Sequence, residues 1–118
     1  MKIRNFRDLQ VWQLGKKMVL EVYKVTRTFP QDEVYGLVSQ MRRSAISIPS
    51  NIAEGFNRYH NKDYRKYLFI SLGSCAELET QVEIACDIEF MTAGDRNKLL
   101  ENLDHETRML RNLIKKLR

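Results

Sequence analysis

Residues 100–117 read LENLDHETRMLRNLIKKL. Leu100, Leu103, Thr107, Leu110, Ile114 and Leu117 stand 3, 4, 3, 4 and 3 residues apart, the spacing of a heptad seam on one helix. Thr92, Gly94 and Asp95 mark a turn before it, so this helix is expected over about residues 92–118. Upstream, Tyr64, Tyr67, Leu68, Leu72, Cys75, Leu78, Val82, Ala85 and Cys86 carry another helical stripe over residues 61–91. Residues 33–57 form a third segment, with Val34, Leu37, Val38, Met41, Ala45, Ile48, Ile52 and Phe56 inward. Pro49 falls in its middle. An interior proline removes one backbone hydrogen bond and costs about 3 kcal/mol, so a kink is expected there. Ser47, Ser50 and Asn51 surround the proline and are placed to satisfy the freed carbonyl; a break with a restart at Ser47 is the alternative.

The first segment, residues 8–28, has two apolar rows. One is Leu9, Trp12, Val19 and Tyr23; the other is Val11, Met18, Val22, Val25 and Phe29. Together they make a face wider than one bundle seam needs, which points to oligomerisation. Phe29, Pro30, Gln31 and Asp32 end this helix, with Asp32 as the expected N-cap of the next. Connections of about 3–5 residues force antiparallel neighbours. The expected fold is all-α: a single domain over residues 1–118, an antiparallel up-down-up-down four-helix bundle with helix two kinked near Pro49. In that register Arg42 lies level with Glu77, Ser44 with Cys75, Asn51 with Leu68, and Gly15 with Ser47. A partly buried ion pair between Arg42 or Arg43 and Glu77 is therefore expected.

Composition excludes much else. The chain has 118 residues, 43% hydrophobic and 30% charged, with a formal net charge of +5. Five glycines and two prolines are too few for a linker-rich or turn-rich all-β chain. No run approaches the roughly 18 apolar residues of a membrane span, and the N-terminus lacks the apolar core of a secretory signal. A cytoplasmic protein with no membrane partner is expected. Cys75 and Cys86 are eleven residues apart on one helix, about 16 Å of rise, beyond disulfide reach. They read as small core hydrophobes. His60 and His105 are isolated, and no HExxH, CxxC, Glu-x-x-His pair, GxGxxG or Walker loop is present. No metal ligand, cofactor or catalytic residue is expected, so the chain reads as a non-enzyme.

Charge is unevenly placed. Residues 1–31 carry +5, residues 32–60 balance, residues 61–91 carry −3 and residues 92–118 carry +3. Antiparallel packing brings the end of the last helix beside the start of the third. Arg108, Arg111, Lys115, Lys116 and Arg118 then meet Arg58, Lys62, Arg65 and Lys66, with Tyr59, Tyr64 and Tyr67 between them. Such a basic end suits phosphate, because neutralising each phosphate releases condensed counterions. It reads equally as a solvated or partner-facing surface, since basic residues in a last turn also favour the helix dipole. No base-reading motif accompanies it.

Three stretches carry a resemblance. These are residues 6–12 (FRDLQVW), residues 42–55 (RRSAISIPSNIAEG) and residues 72–81 (LGSCAELETQ). In order and spacing they resemble the four-helix-bundle family named after proteins encoded in 23S rRNA intervening sequences. Ser44, between Arg43 and Ala45, is a small departure from its simplest pattern. The resemblance implies an antiparallel bundle, a homopentamer and no established catalysis. It also extends to the accessory variability protein of diversity-generating retroelements, which binds nucleic acid and a reverse transcriptase. RNA or DNA, a nucleic-acid enzyme, and further copies of the chain are thus the implied partners. The matched signature positions are Arg43, Asn51, Glu54, Gly55, Ser74, Glu77 and Gln81. They read as structural: Asn51 and Ser47 at the proline, Glu54 toward Arg58 one turn on, Glu77 and Gln81 toward Arg42 and Arg43.

Overall fold

The computed structural model describes residues 2–118. It contains four α-helices: α1 (Gln10–Thr26), α2 (Ser39–Phe56), α3 (Asn61–Asp87) and α4 (Ala93–Lys116), with no strand among the described residues. No helix is long and apolar enough to cross a membrane among these residues. A 3-10 turn, Phe6–Asp8, precedes α1, and Asn5 Oδ1 caps it by accepting from Arg7 N at 2.9 Å. One contiguous core takes side chains from every helix, including the fully buried Met18, Ile48, Leu78 and Leu103.

The inward face of α1 is Val11, Gly15, Met18, Val22 and Thr26, a helical row that ends on a threonine. Thr26 Oγ1 donates to Val22 O at 2.7 Å, which satisfies the buried hydroxyl within its own helix. The remaining apolar row, Leu9, Trp12, Val19, Tyr23 and Val25, is only half-buried, and Leu20 is exposed.

The second helix starts later than its apolar pattern suggests. Gln31–Glu33 is a 3-10 turn and Val34–Val38 a wide π-helical turn, in which Gly36 leaves helical geometry at φ −109° and ψ −111°. Asp32 lies inside the 3-10 turn and caps nothing. Glu33 takes that role, its carboxylate accepting from Leu37 N at 3.3 Å. Val34, expected inward, is exposed because this turn rotates it off the core face. From Ser39 onward α2 runs unbroken through Pro49, so no restart occurs at Ser47. Asn51 Nδ2 donates to the carbonyl and hydroxyl of Ser47, at 2.8 and 2.9 Å, and Ser71 Oγ donates to Ile48 O at 2.9 Å. Side-chain donors thus gather on the carbonyls just before the proline, one of them from the neighbouring helix.

Helix α3 stops at Asp87, short of Met91. Glu89 adopts φ 67°, and Phe90 N donates to Ala85 O at 2.9 Å while Glu89 N donates to Cys86 O at 3.0 Å. These are the two bonds of a Schellman stop, with a glutamate where glycine is usual. Phe90 then packs on Phe29, their centroids 5.7 Å apart. Thr92 Oγ1 caps α4 by accepting from Asp95 N at 3.1 Å.

The seam of α4 needs correction. Its buried residues are Leu99, Leu103, Glu106, Leu110 and Ile114; Leu100, Thr107 and Leu117 lie half-buried on its flank. Both rows have helical spacing, and a glutamate makes the true one look interrupted.

The expected ion pair also needs correction. Arg42 turns toward α1, with its Nε donating to Thr26 Oγ1 at 3.0 Å and its guanidinium 4.3 Å from the Tyr23 ring centre. Arg43 and Glu77 line one cleft, and no salt bridge joins Glu77 to either arginine. Stacking plus a hydroxyl partner on α1 outweighs an exposed ion pair, which is worth about 1 kcal/mol at most.

Helix contacts are closest at small residues. A Cβ on Gly55 would sit 2.8 Å from Tyr67 Cβ and 3.1 Å from Tyr64 O. A Cβ on Gly73, mid-α3, would meet nothing within 4 Å. Gly55→Ala is expected to lower the unfolding free energy by about 1–3 kcal/mol, and Gly73→Ala to raise it by up to about 1 kcal/mol. Urea denaturation of the two variants checks the opposite signs. Glu89→Gly removes the left-handed penalty and should stabilise by about 1 kcal/mol, read as a rise in the denaturation midpoint at unchanged slope.

Candidate nucleic-acid interface

The α2–α3 turn follows from the Gly55 contact. With no side chain there, the end of α2 lies directly on Tyr64 and Tyr67 of α3. Arg58, at the turn, donates through Nη2 to Glu54 Oε1 at 2.8 Å and to Tyr67 Oη at 2.7 Å. The Glu54 hydrogen bond is the main reason its pKa is raised, followed by Tyr67. The expected contact between Glu54 and Arg58 is therefore present, and it holds the arginine two residues past the end of α2. Lys62 and Lys66 point into solvent on the first turns of α3. Arg65 is half-buried, its guanidinium 6.0 Å from the Phe69 ring centre and its Nε without a hydrogen-bond partner.

The three tyrosines of this region differ. Tyr59 is 94% exposed, with its ring edge-on to His60 at 4.9 Å. Tyr64 is a core residue, T-shaped against Phe56, and burial pushes its hydroxyl up to about 12. Tyr67 is half-buried and engaged with Arg58. Only Tyr59 offers a free face for stacking.

On α4, Arg108, Arg111, Lys115 and Lys116 are all exposed, because Leu110 and Ile114 take the buried side, and Arg118, two residues past the helix, is exposed too. Arg108 Nη2 contacts Asp104 Oδ2 at 2.6 Å, one turn back. Among the described residues no ion pair or hydrogen bond ties these cations to those of the α2–α3 turn.

The signature residues divide between two places. Glu54 and Gly55 belong to the α2–α3 turn, whereas Arg43, Ser74, Glu77 and Gln81, together with Ser44 and Ser47, line a cleft of about 350 Å³ between α2 and α3. Ser47 Oγ and Ser74 Oγ share a hydrogen bond at 2.7 Å, and Gln81 Oε1 is buried without a partner. Beside it on α3, burial first and then nearby Glu106 push the Cys75 thiol up to about 12. Both cysteines are free thiols.

The outer side of α1 and α2 is apolar. Two adjoining clefts, of about 620 and 410 Å³, meet at Ile46 and Ser50. Around them Leu20 is 63% exposed and Tyr35 97% exposed. One residue of consequence escaped the sequence reading: Glu106, which is fully buried. The heptad frame passed over it, and only the alternative row Leu99, Leu103, Leu110 and Ile114 would have flagged it.

Comparison with known proteins places this geometry. No curated protein matches the chain. A crystal structure of a protein with unknown function from the S23 ribosomal protein family of Bacteroides thetaiotaomicron VPI-5482 superposes with a TM-score of 0.82. The match covers 89% of this chain and 95% of that one at 20% identity, which shows a shared fold. The family model of the 23S rRNA-intervening sequence protein matches residues 7–112, nearly the whole bundle. The chain therefore belongs to the 23S rRNA-intervening sequence protein family.

Proposed function

We propose that this chain is a non-enzymatic, antiparallel up-down-up-down bundle that self-associates and grips the phosphate backbone of RNA or DNA with one basic pole. The antiparallel reading is supported by contacts whose numbers run in opposite directions. Thr26 meets Arg42 while Gly15 meets Pro49; Ser47 meets Ser74 while Gly55 meets Tyr64; Glu21 meets Lys98 while Gly15 meets Glu106. Cys75 lies beside Thr107. Carrying that register toward the C-terminus brings Lys115 level with Tyr67 and Lys116 level with Lys66.

The observation that carries the proposal is the α2–α3 turn, where the fixed Arg58 and the exposed Tyr59 directly precede the exposed Lys62 and Lys66 on the first turns of α3. Arg65, Lys115, Lys116 and Arg118 extend the same pole, whereas that register sets Arg111 level with Ser71 and Arg108 level with Ser74, toward the middle of the rod. These groups are point charges and guanidinium forks without a groove-reading element, so contact is to backbone and carries little sequence preference. The polar cleft of the signature residues is structural in this reading: it sets the register of α2 on α3.

The uncovered apolar face of α1 and α2 supports self-association. The family resemblance sets five as the expected number of copies, and a ring of five would gather a charge of +25 from +5 each. Avidity then strengthens a modest phosphate affinity. Arg58 and Arg108 already hold carboxylates of their own chain, which favours a second reading: the pole docks a protein such as a nucleic-acid enzyme. A complex that survives nuclease treatment would select that reading.

Two outcomes are expected. Fluorescence anisotropy with labelled RNA and DNA should give binding that weakens at least about tenfold between about 50 and 200 mM salt. Joint Lys62→Glu and Lys66→Glu changes should weaken it further, while Lys24→Glu should not. No binding to any nucleic acid at low salt discards the proposal. Native mass measurement should find an assembly well above the 14.0 kDa chain, reduced to that mass by Leu20→Glu with Ile46→Glu.

A further inference from the structure

Glu106 lies on the inward row of α4, between Leu103 and Leu110, and is fully buried. Neither of its carboxyl oxygens has a hydrogen-bond partner. A Cβ added to Gly15 of α1 would stand 3.1 Å from Glu106 Oε2, with Pro49 Cβ at 3.4 Å and Ile48 Cγ2 at 3.5 Å. The absent side chain of Gly15 is thus the space that the carboxyl group fills.

The surroundings offer no counter-charge. From α1 the facing residue is Gly15, and the ionic pair that joins α1 to α4, Glu21 with Lys98, closes on itself at 3.0 Å. From α2 the facing residues are Ile48 and Pro49. From α3 the titratable neighbour is Cys75, whose thiol burial holds neutral up to about 12, with Glu79 beyond it. On α4 itself, Asp104, His105 and Arg108 point to solvent, and Asp104 is taken by Arg108. An ionised carboxylate without donors or a cation is costly in such a site, and the neutral acid is the form that fits.

We propose that Glu106 is a proton-operated latch of the bundle: it seats against Gly15 as the neutral carboxylic acid, and its ionisation loosens α4 from α1. Burial pushes its pKa up from 4.5 to about 8, in accord with that geometry. The sign follows from proton counting. Between these two values the folded chain holds a proton that the unfolded chain has released. Stability therefore falls as pH rises through that window, and levels off above about 8, once the folded form has also lost the proton.

The test is urea denaturation of the full chain and of Glu106→Gln at one fixed chain concentration, from about pH 5 to 9. The unfolding constant of the wild-type chain should rise relative to Glu106→Gln by close to tenfold per pH unit up to about pH 8, the slope of one linked proton. Parallel profiles for the two proteins overturn the proposal. Should Glu106→Gln fail to fold, carbon-13 NMR of the side-chain carboxyls in the wild-type chain decides. One glutamate titrating near pH 8 and absent from Glu106→Met supports the latch. All glutamates titrating in the ordinary carboxylate range overturn it.

Discussion

The bundle depends on how closely α2 approaches its two neighbours. Its contact with α3 runs through small or hydroxyl-bearing residues: Ser47 on Ser74, Ile48 O under Ser71, and Gly55 against Tyr64 and Tyr67. Its contact with α1 runs through Pro49 over Gly15. Backbones this close leave little tolerance for extra atoms, so register is set by shape first and by a few hydrogen bonds second. Those bonds are short and partly buried, which makes a shifted register expensive in unsatisfied polar groups. The main family-signature stretches lie along this contact, consistent with a role in holding the bundle.

Pro49 belongs to the same arrangement. A proline within a helix removes a donor, and an asparagine on its own helix and a serine on the next donate to the adjoining carbonyls of Ser47 and Ile48. The helix stays continuous there, while the irregular backbone lies one and a half dozen ångströms or so away at Gly36, before α2 begins. Irregularity is thereby kept out of the packed middle of the rod.

The middle of the molecule differs from its ends. Small-residue packing and the Glu106 pocket occupy the middle, whereas Lys62 and Lys66 lie exposed at the start of α3 and Lys115, Lys116 and Arg118 at the end of α4 and just past it. The solvent exposure of these side chains suits contact with a phosphate backbone and specifies little beyond it. The apolar strip on α1 and α2 lies along the flank, a surface separate from the cations of the α2–α3 turn.

Four helices, their approximate spans and the free state of both cysteines were legible from periodicity and spacing alone, because a 3.6-residue repeat survives any choice of neighbours. The Glu54–Arg58 contact was legible too, since it is local to one turn. The partner of Arg42 was not: Tyr23 and Thr26 competed with Glu77 from another helix, and only packing chose between them. The start of α2 and the true seam of α4 escaped for a related reason. Adjacent rows such as Leu99 and Leu100 have the same period, and burial of Glu106 depends on a glycine more than ninety residues away in the chain. Local sequence determined which residues form helices; tertiary contact decided which face of each turned inward and which polar groups were left there alone.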